Sequence, residues 1–212
     1  FYAATPEPGE VPVDEETCWI YEHRIGSTKP ARRVFGDDTM KEQWCSVEVS
    51  ECGRFAVLYK WRFVHANAVY LLRLADDALI AVAPELQSVN HVQVIGDSLL
   101  IQTDLDAPRG RACIAPLTAP TEWRTLIPET SDALQTITGV GGRIYAVYSH
   151  AASHRVRIHA EDGTYLRELE LPALGSVGDR YASGIRGTWA ADDVWVDFTS
   201  YVQPPSVYRY DY

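Results

Sequence analysis

Trp195-Val-Asp-Phe-Thr-Ser-Tyr-Val-Gln-Pro-Pro-Ser-Val-Tyr-Arg-Tyr-Asp211 holds two runs rich in Val, Trp, Phe, Thr and Tyr on either side of a Pro-Pro pair. β-branched and aromatic residues fit a pleated backbone, and proline, which has no N–H to give to a sheet ladder, marks the connection between strands. The stretch therefore reads as two strands around a turn. Outward from it, short runs that alternate apolar and polar residues recur along the chain, and helical periodicity is nearly absent. The expectation is an all-β chain.

The predicted strands run over 18–25, 32–35, 46–50, 55–61, 68–74, 78–83, 91–95, 99–104, 112–117, 123–127, 134–140, 144–149, 156–160, 165–171, 184–188, 194–199 and 206–210. Cys52-Gly53, Gly96-Asp97, Gly141-Gly142 and Asp192-Asp193 are tight-turn pairs between the first and second strands of each group. They return at roughly 43 to 50 residue intervals, the length of one four-stranded antiparallel propeller blade. Each blade would place a buried inner strand such as Val47 to Val49 beside an apolar second strand such as Phe55-Ala-Val-Leu-Tyr59, with two more polar strands outside. Complete blades are expected at about 46–84, 90–128 and 134–171, with partial blades at 1–36 and 184–212, all in one β-propeller domain. The blades are read as cut at both ends. The exposed edges would be relieved by closure into a smaller ring or by pairing between chains, and the sequence leaves both open.

With 212 residues, 46% apolar and 23% charged, the chain can bury a substantial core, and disorder is not expected. A formal charge of −10 without a basic stripe argues against a nucleic-acid partner. No apolar run approaches the roughly 20 residues that span a bilayer, so no membrane partner is expected. The start, Phe1-Tyr-Ala-Ala-Thr-Pro-Glu-Pro, lacks an initiator Met and a basic leader, and suggests a chain trimmed from a longer one. Cys18, Cys45, Cys52 and Cys113 form no C-x-x-C pair, which points to reduced thiols and a cytoplasmic location, with a periplasmic one not excluded.

Four segments in order carry a family resemblance: Val49-Ser-Glu-Cys-Gly-Arg-Phe55, Trp123-Arg-Thr-Leu-Ile-Pro-Glu129, Gly139-Val-Gly-Gly-Arg-Ile-Tyr145 and the 195–211 stretch. Together they resemble the propeller domain of prolyl oligopeptidases, from about Phe1 to Tyr212. The resemblance implies the later part of a seven-bladed propeller. It also implies a parent that is a serine endopeptidase cleaving short peptides after proline, with a Ser-His-Asp triad on an α/β-hydrolase domain. The propeller would cover that active site and exclude folded proteins. Its partners would then be the hydrolase domain of the same parent chain and short proline-containing peptides.

The triad chemistry needs a serine on a strained strand-to-helix elbow, G-x-S-x-G. No serine here has glycine at both flanking second positions, and Gly175-Ser-Val-Gly178 has the wrong spacing. No catalytic residue is therefore assigned, and the chain alone is expected to be inactive. His150 and His154 are four apart, with His159 following, but without an H-E-x-x-H helix they read as solvated turn histidines, and no metal or cofactor is expected. Asp104, Asp106, Asp192 and Asp193 read as turn acids, and Asp197 as a partner for an arginine, against a carbohydrate-cleaving propeller that needs two carboxylates across a funnel. Trp19, Trp44, Trp61, Trp123, Trp189 and Trp195 mostly suit packing between blades.

Trp44 and Trp61 stand apart. The resemblance implies that peptide-contacting positions lie just before the inner strand of this blade and in the loop after its second strand. Those positions fall on Trp44 and on Phe63 or Val64, with Arg62 beside them, in the ungapped stretch Leu58-Tyr-Lys-Trp-Arg-Phe-Val-His-Ala-Asn67. Val64 and Trp44 would replace a cysteine and a methionine found in some relatives, keeping an apolar pocket wall. The competing reading of loop 62–65 is an ordinary blade connection. For the chain as a whole it is a stand-alone propeller that binds a protein partner through rim loops.

Overall fold

The computed structural model describes residues 1–5, 18–36, 44–178 and 183–211. Residues 6–17 of the first predicted partial blade lie outside the described residues. The described residues form nineteen strands and no helix, arranged in five antiparallel sheets. They belong to two compact units, 1–90 and 91–212.

In the first unit, β1 (Tyr2–Ala4), β2 (Trp19–Glu22) and β3 (Arg32–Phe35) make a three-stranded sheet. A second sheet follows in chain order: β4 (Trp44–Val49), β5 (Phe55–Arg62), β6 (Ala66–Arg73) and β7 (Ala78–Ala83). The run Phe55-Ala-Val-Leu-Tyr59 is buried at every residue, so both faces of β5 are covered. That explains an unbroken apolar run where a one-sided strand would alternate. Ala56 and Leu58 lie in one core with Cys45, Leu72 and Ile20, joined by Val34 and Phe35 of the first sheet. Full burial of a side chain such as Leu58 contributes about 1.5–3 kcal/mol.

The second unit holds three sheets. The first is β8 (Asn90–Ile95), whose first residue closes the preceding unit, with β9 (Ser98–Thr103), β10 (Arg111–Pro116) and β11 (Arg124–Ile127). Next come β12 (Ala133–Val140), β13 (Arg143–His150), β14 (Ser153–Ala160) and β15 (Tyr165–Leu169). The last sheet contains β16 (Ser176–Val177), β17 (Ile185–Arg186), β18 (Val194–Thr199) and β19 (Ser206–Tyr210). The β12–β15 sheet is sandwiched. Its Ile144, Ala146 and Tyr148 pack with Ile95, Leu100 and Ile114, while Tyr145, Val147 and Val156 pack with Val177, Val194 and Phe198. Alternate residues of β13 thus serve two different cores.

Inner strands are tied side chain to backbone. Gln93 of β8 donates from Nε2 to the Gly139 carbonyl at 2.9 Å and accepts the Gly139 N–H at 2.7 Å. A Cβ at residue 139 would come within 2.9 Å of Ile95 and 3.0 Å of Trp189, so glycine permits this close approach.

Several strand bounds differ from the sequence reading: β2 ends at Glu22, β14 begins at Ser153 and β15 ends at Leu169. The inner strand of the second sheet starts at Trp44, two residues before the predicted Ser46. In the last sheet the predicted strand 184–188 is reduced to Ile185–Arg186, and a second piece, Ser176–Val177, pairs with the other end of β18. Asp197 bridges the break: its carbonyl accepts the Gly178 N–H at 2.9 Å and its N–H donates to the Gly184 carbonyl at 2.8 Å. Gly178 and Gly184 meet backbone to backbone there, since a Cβ on Gly184 would lie 2.1 Å from the Gly178 nitrogen. A strand interrupted in this way has too few consecutive residues to leave an alternating pattern.

Candidate functional site: the aromatic end of the second sheet

Trp44 opens β4, and across the ladder it faces Trp61, the penultimate residue of β5. Residues directly opposite in an antiparallel pair share a face, so the two indoles sit on one side of the sheet at its end. The next pair inward on that face is Ser46 and Tyr59. Trp61 stacks on Tyr59 with ring centroids 5.9 Å apart, and its Nε1–H donates to Ser46 Oγ at 3.0 Å. The Trp61 ring is thereby fixed, while Trp44 is 57% exposed.

Arg62 pairs with Ala66, which leaves Phe63, Val64 and His65 as the turn. Phe63 is 56% and Val64 70% exposed, and Arg62 is also exposed. Phe63 has φ of 54°, in the left-handed region that costs a residue with a Cβ about 1 kcal/mol. All four site residues read from the sequence, Trp44, Arg62, Phe63 and Val64, are thus gathered at one end of β4 and β5, beside Trp61. The surface is apolar and aromatic with one guanidinium at its edge, suited to holding an apolar ring or an extended peptide rather than to moving protons.

The support beneath this end was missed in the sequence. Asn67, opposite Trp61 on β6, is fully buried, as is Asn90. Asn67 Nδ2 donates to the Asn90 carbonyl at 2.7 Å, the Asn90 N–H donates to Asn67 Oδ1 at 2.8 Å, and the Asn67 N–H donates to the Ser88 carbonyl at 2.9 Å. Ser88 Oγ completes the set with a 3.1 Å bond to Asn90 Oδ1. The available signal was an asparagine inside the apolar run Ala66-Asn-Ala-Val-Tyr-Leu-Leu72, since a polar residue buried in a strand must find partners.

The other polar residues hold structure. The three histidines are not solvated turn residues, because the β13–β14 turn is only Ala151-Ala152 and the imidazoles lie on strands. His150 Nδ1 bonds Asp132 at 2.9 Å, and this bond, with Arg157 and Arg155 nearby, holds the Asp132 carboxyl below its ordinary range. His154 Nδ1 accepts the Val177 N–H at 3.0 Å. Buried His159 bonds the Gly163 carbonyl at 3.0 Å, and burial pushes its pKa down. Asp197 pairs with Arg186 at 2.6 Å and Asp193 with Arg209 at 2.8 Å, as suits structural acids. Among the described residues, no group of three or more His, Cys, Asp or Glu converges to hold a metal ion. Trp19 is buried beneath Arg33, whose guanidinium lies 4.1 Å from the ring centroid, and Trp189 packs on the core around Ile95 and Ile144.

Three successive antiparallel sheets of four strands in chain order, β4–β7, β8–β11 and β12–β15, are the blades of a β-propeller domain. The chain belongs to the family described as the prolyl oligopeptidase N-terminal β-propeller domain, which matches over residues 1–212. A prolyl endopeptidase of Elizabethkingia meningoseptica is 27% identical over 197 residues, covering 91% of this chain and 27% of that protein. The chain thus spans little more than a quarter of this curated relative. Its fold is similar to that of a prolyl endopeptidase solved in work on inter-domain dynamics, with a TM-score of 0.86 at 24% identity, over 99% of this chain and 31% of that one. Prolyl oligopeptidase B of Galerina marginata, solved with a 35mer hydrolysis and macrocyclization substrate, superposes with a TM-score of 0.84 at 18% identity, over 99% of this chain and 30% of that one.

Proposed function

We propose that this chain is the substrate-gating propeller part of a serine endopeptidase that cleaves short peptides after proline, and that Trp44, Arg62, Phe63 and Val64 wall its peptide pocket. The carrying observation is the exposed aromatic end of the β4–β5–β6 ladder in a chain of the prolyl oligopeptidase propeller family. A rigid ring of blades filters by size: an unfolded peptide passes where a folded protein does not. The nucleophile, base and orienting acid would come from an α/β-hydrolase domain of the same parent, and residues 1–212 alone would not hydrolyse peptides. The four free cysteines fit a reducing compartment, which favours a cytoplasmic parent.

The test uses the full-length protein. Trp44→Ala and Val64→Ala should each lower kcat/KM on an acyl-Gly-Pro substrate by about tenfold, the scale of trimming one apolar side chain from a pocket wall, mostly through KM. Unchanged kinetics in both variants would make loop 62–65 an ordinary blade connection.

A further inference from the structure

Cys18 and Cys45 are 27 positions apart, yet each sulfur reaches the other residue's backbone. Cys45 Sγ–H donates to the Cys18 carbonyl at 3.0 Å, and Cys18 Sγ lies 3.9 Å from the Cys45 carbonyl. Cys18 stands immediately before β2 and Cys45 is the second residue of β4, so the pair joins the three-stranded sheet to the first four-stranded one. Cys45 is buried and Cys18 half-buried, which leaves Cys18 as the sulfur open to a reagent.

We infer that Cys18 and Cys45 are a modification site: a dithiol that closes to a disulfide on exchange with a small disulfide such as oxidised glutathione, stapling the first two sheets together. Each sulfur lies within 4 Å of the other residue's backbone carbonyl, which brings the two side chains into the neighbourhood that a disulfide needs. The electrostatics support the direction of attack. The neighbouring Cys45 outweighs partial burial and pushes the Cys18 thiol down to about 6, which favours Cys18 as the attacking sulfur. The neighbouring Cys18, with burial, pushes the Cys45 thiol up, which makes it the second sulfur to react.

In the first step the Cys18 thiolate attacks one sulfur of oxidised glutathione, whose S–S bond breaks to give a mixed disulfide and a glutathione thiolate. Cys45 then attacks the Cys18 sulfur, loses its proton to solvent, and expels the second glutathione as thiolate. Two protein thiols are oxidised and one glutathione disulfide is reduced to two thiols. The staple fixes the start of β4, where Trp44 is the adjacent residue, and so couples redox poise to the aromatic end of that sheet. Cys52, exposed on the β4–β5 turn, bonds Ser50 Oγ at 3.3 Å and has no such sulfur partner among the described residues.

The experiment treats the folded full-length protein with oxidised glutathione, quenches with iodoacetamide and maps the peptides by mass. The expected product links the Cys18 and Cys45 peptides with loss of two hydrogens and returns to free thiols with dithiothreitol. Cys45→Ser should instead trap a stable glutathione adduct on Cys18. Wild-type protein in which Cys45 stays alkylatable while Cys18 carries glutathione, or in which both are alkylated, would overturn the inference. The wild-type map decides the matter even if the variant fails to fold.

Discussion

Asn67 and Asn90 bond each other in both directions, the side chain of Asn67 giving to the Asn90 carbonyl at 2.7 Å and taking the Asn90 N–H at 2.8 Å. Two buried residues 23 positions apart are thereby tied together, and Asn67 pairs with Trp61 across the β5–β6 ladder. Asn67→Ala removes both bonds and leaves the Asn90 N–H without its acceptor. The expected cost is about 2–4 kcal/mol, since each orphaned buried group costs roughly 1–3 kcal/mol. The urea midpoint measures it; a loss under about 0.5 kcal/mol would mean that the network is dispensable.

The β13–β14 hairpin closes through Ala151 and Ala152, both left-handed with φ of 45° and 59°. Two consecutive positive φ values are the signature of a type I′ turn, where Asn-Gly is the preferred pair. Replacing Ala151 by Asn and Ala152 by Gly should therefore raise stability, by about 1 kcal/mol for the pair. A thermal melt of the double variant checks the sign.

Phe63 carries the same kind of backbone strain. Phe63→Gly should relieve about 1 kcal/mol of backbone cost while removing an exposed aromatic from the proposed pocket. In the full-length protein, the expected result is a higher unfolding midpoint together with a several-fold higher KM for a Gly-Pro peptide. Higher stability with unchanged KM would remove Phe63 from the pocket.

His159 gives a pH dependence. Burial lowers its folded-state pKa below the ordinary 6.5, so the unfolded chain takes up a proton first as pH falls. The contribution is intact above pH 6.5 and is lost as pH falls from there through the folded pKa. His159→Asn keeps a donor for the Gly163 carbonyl and cannot titrate. Its stability should change less than that of the wild type between about pH 7 and 5, as read from the two sets of unfolding midpoints.

Much of the architecture was legible because its causes are local. Gly53, Gly96, Gly141 and Gly142 have positive φ, as tight turns need, and runs such as Phe55 to Tyr59 are apolar because both faces of the strand are covered. The aromatic end was legible for a different reason: the family resemblance pointed to Trp44 and to 62–64, and the Trp44–Trp61 register brings them together. The Asn67–Asn90 network was not, because pairing partners 23 positions apart leave no local pattern. Nor was the split inner strand at Val177 and Ile185, which depends on Gly178 meeting Gly184. The histidine spacing misled for a related reason: in a hairpin closed by two residues, positions 150 and 154 lie on facing strands and serve different neighbours.

The most direct test is hydrolysis of a chromogenic acyl-Gly-Pro substrate by the full-length protein and by residues 1–212 side by side, each with and without a serine-directed inhibitor. A gating propeller that borrows its nucleophile from another domain predicts inhibitor-sensitive turnover from the full-length protein and none from the 212-residue chain. Inhibitor-sensitive turnover by the chain itself, or a folded full-length protein that leaves the substrate intact, would contradict it.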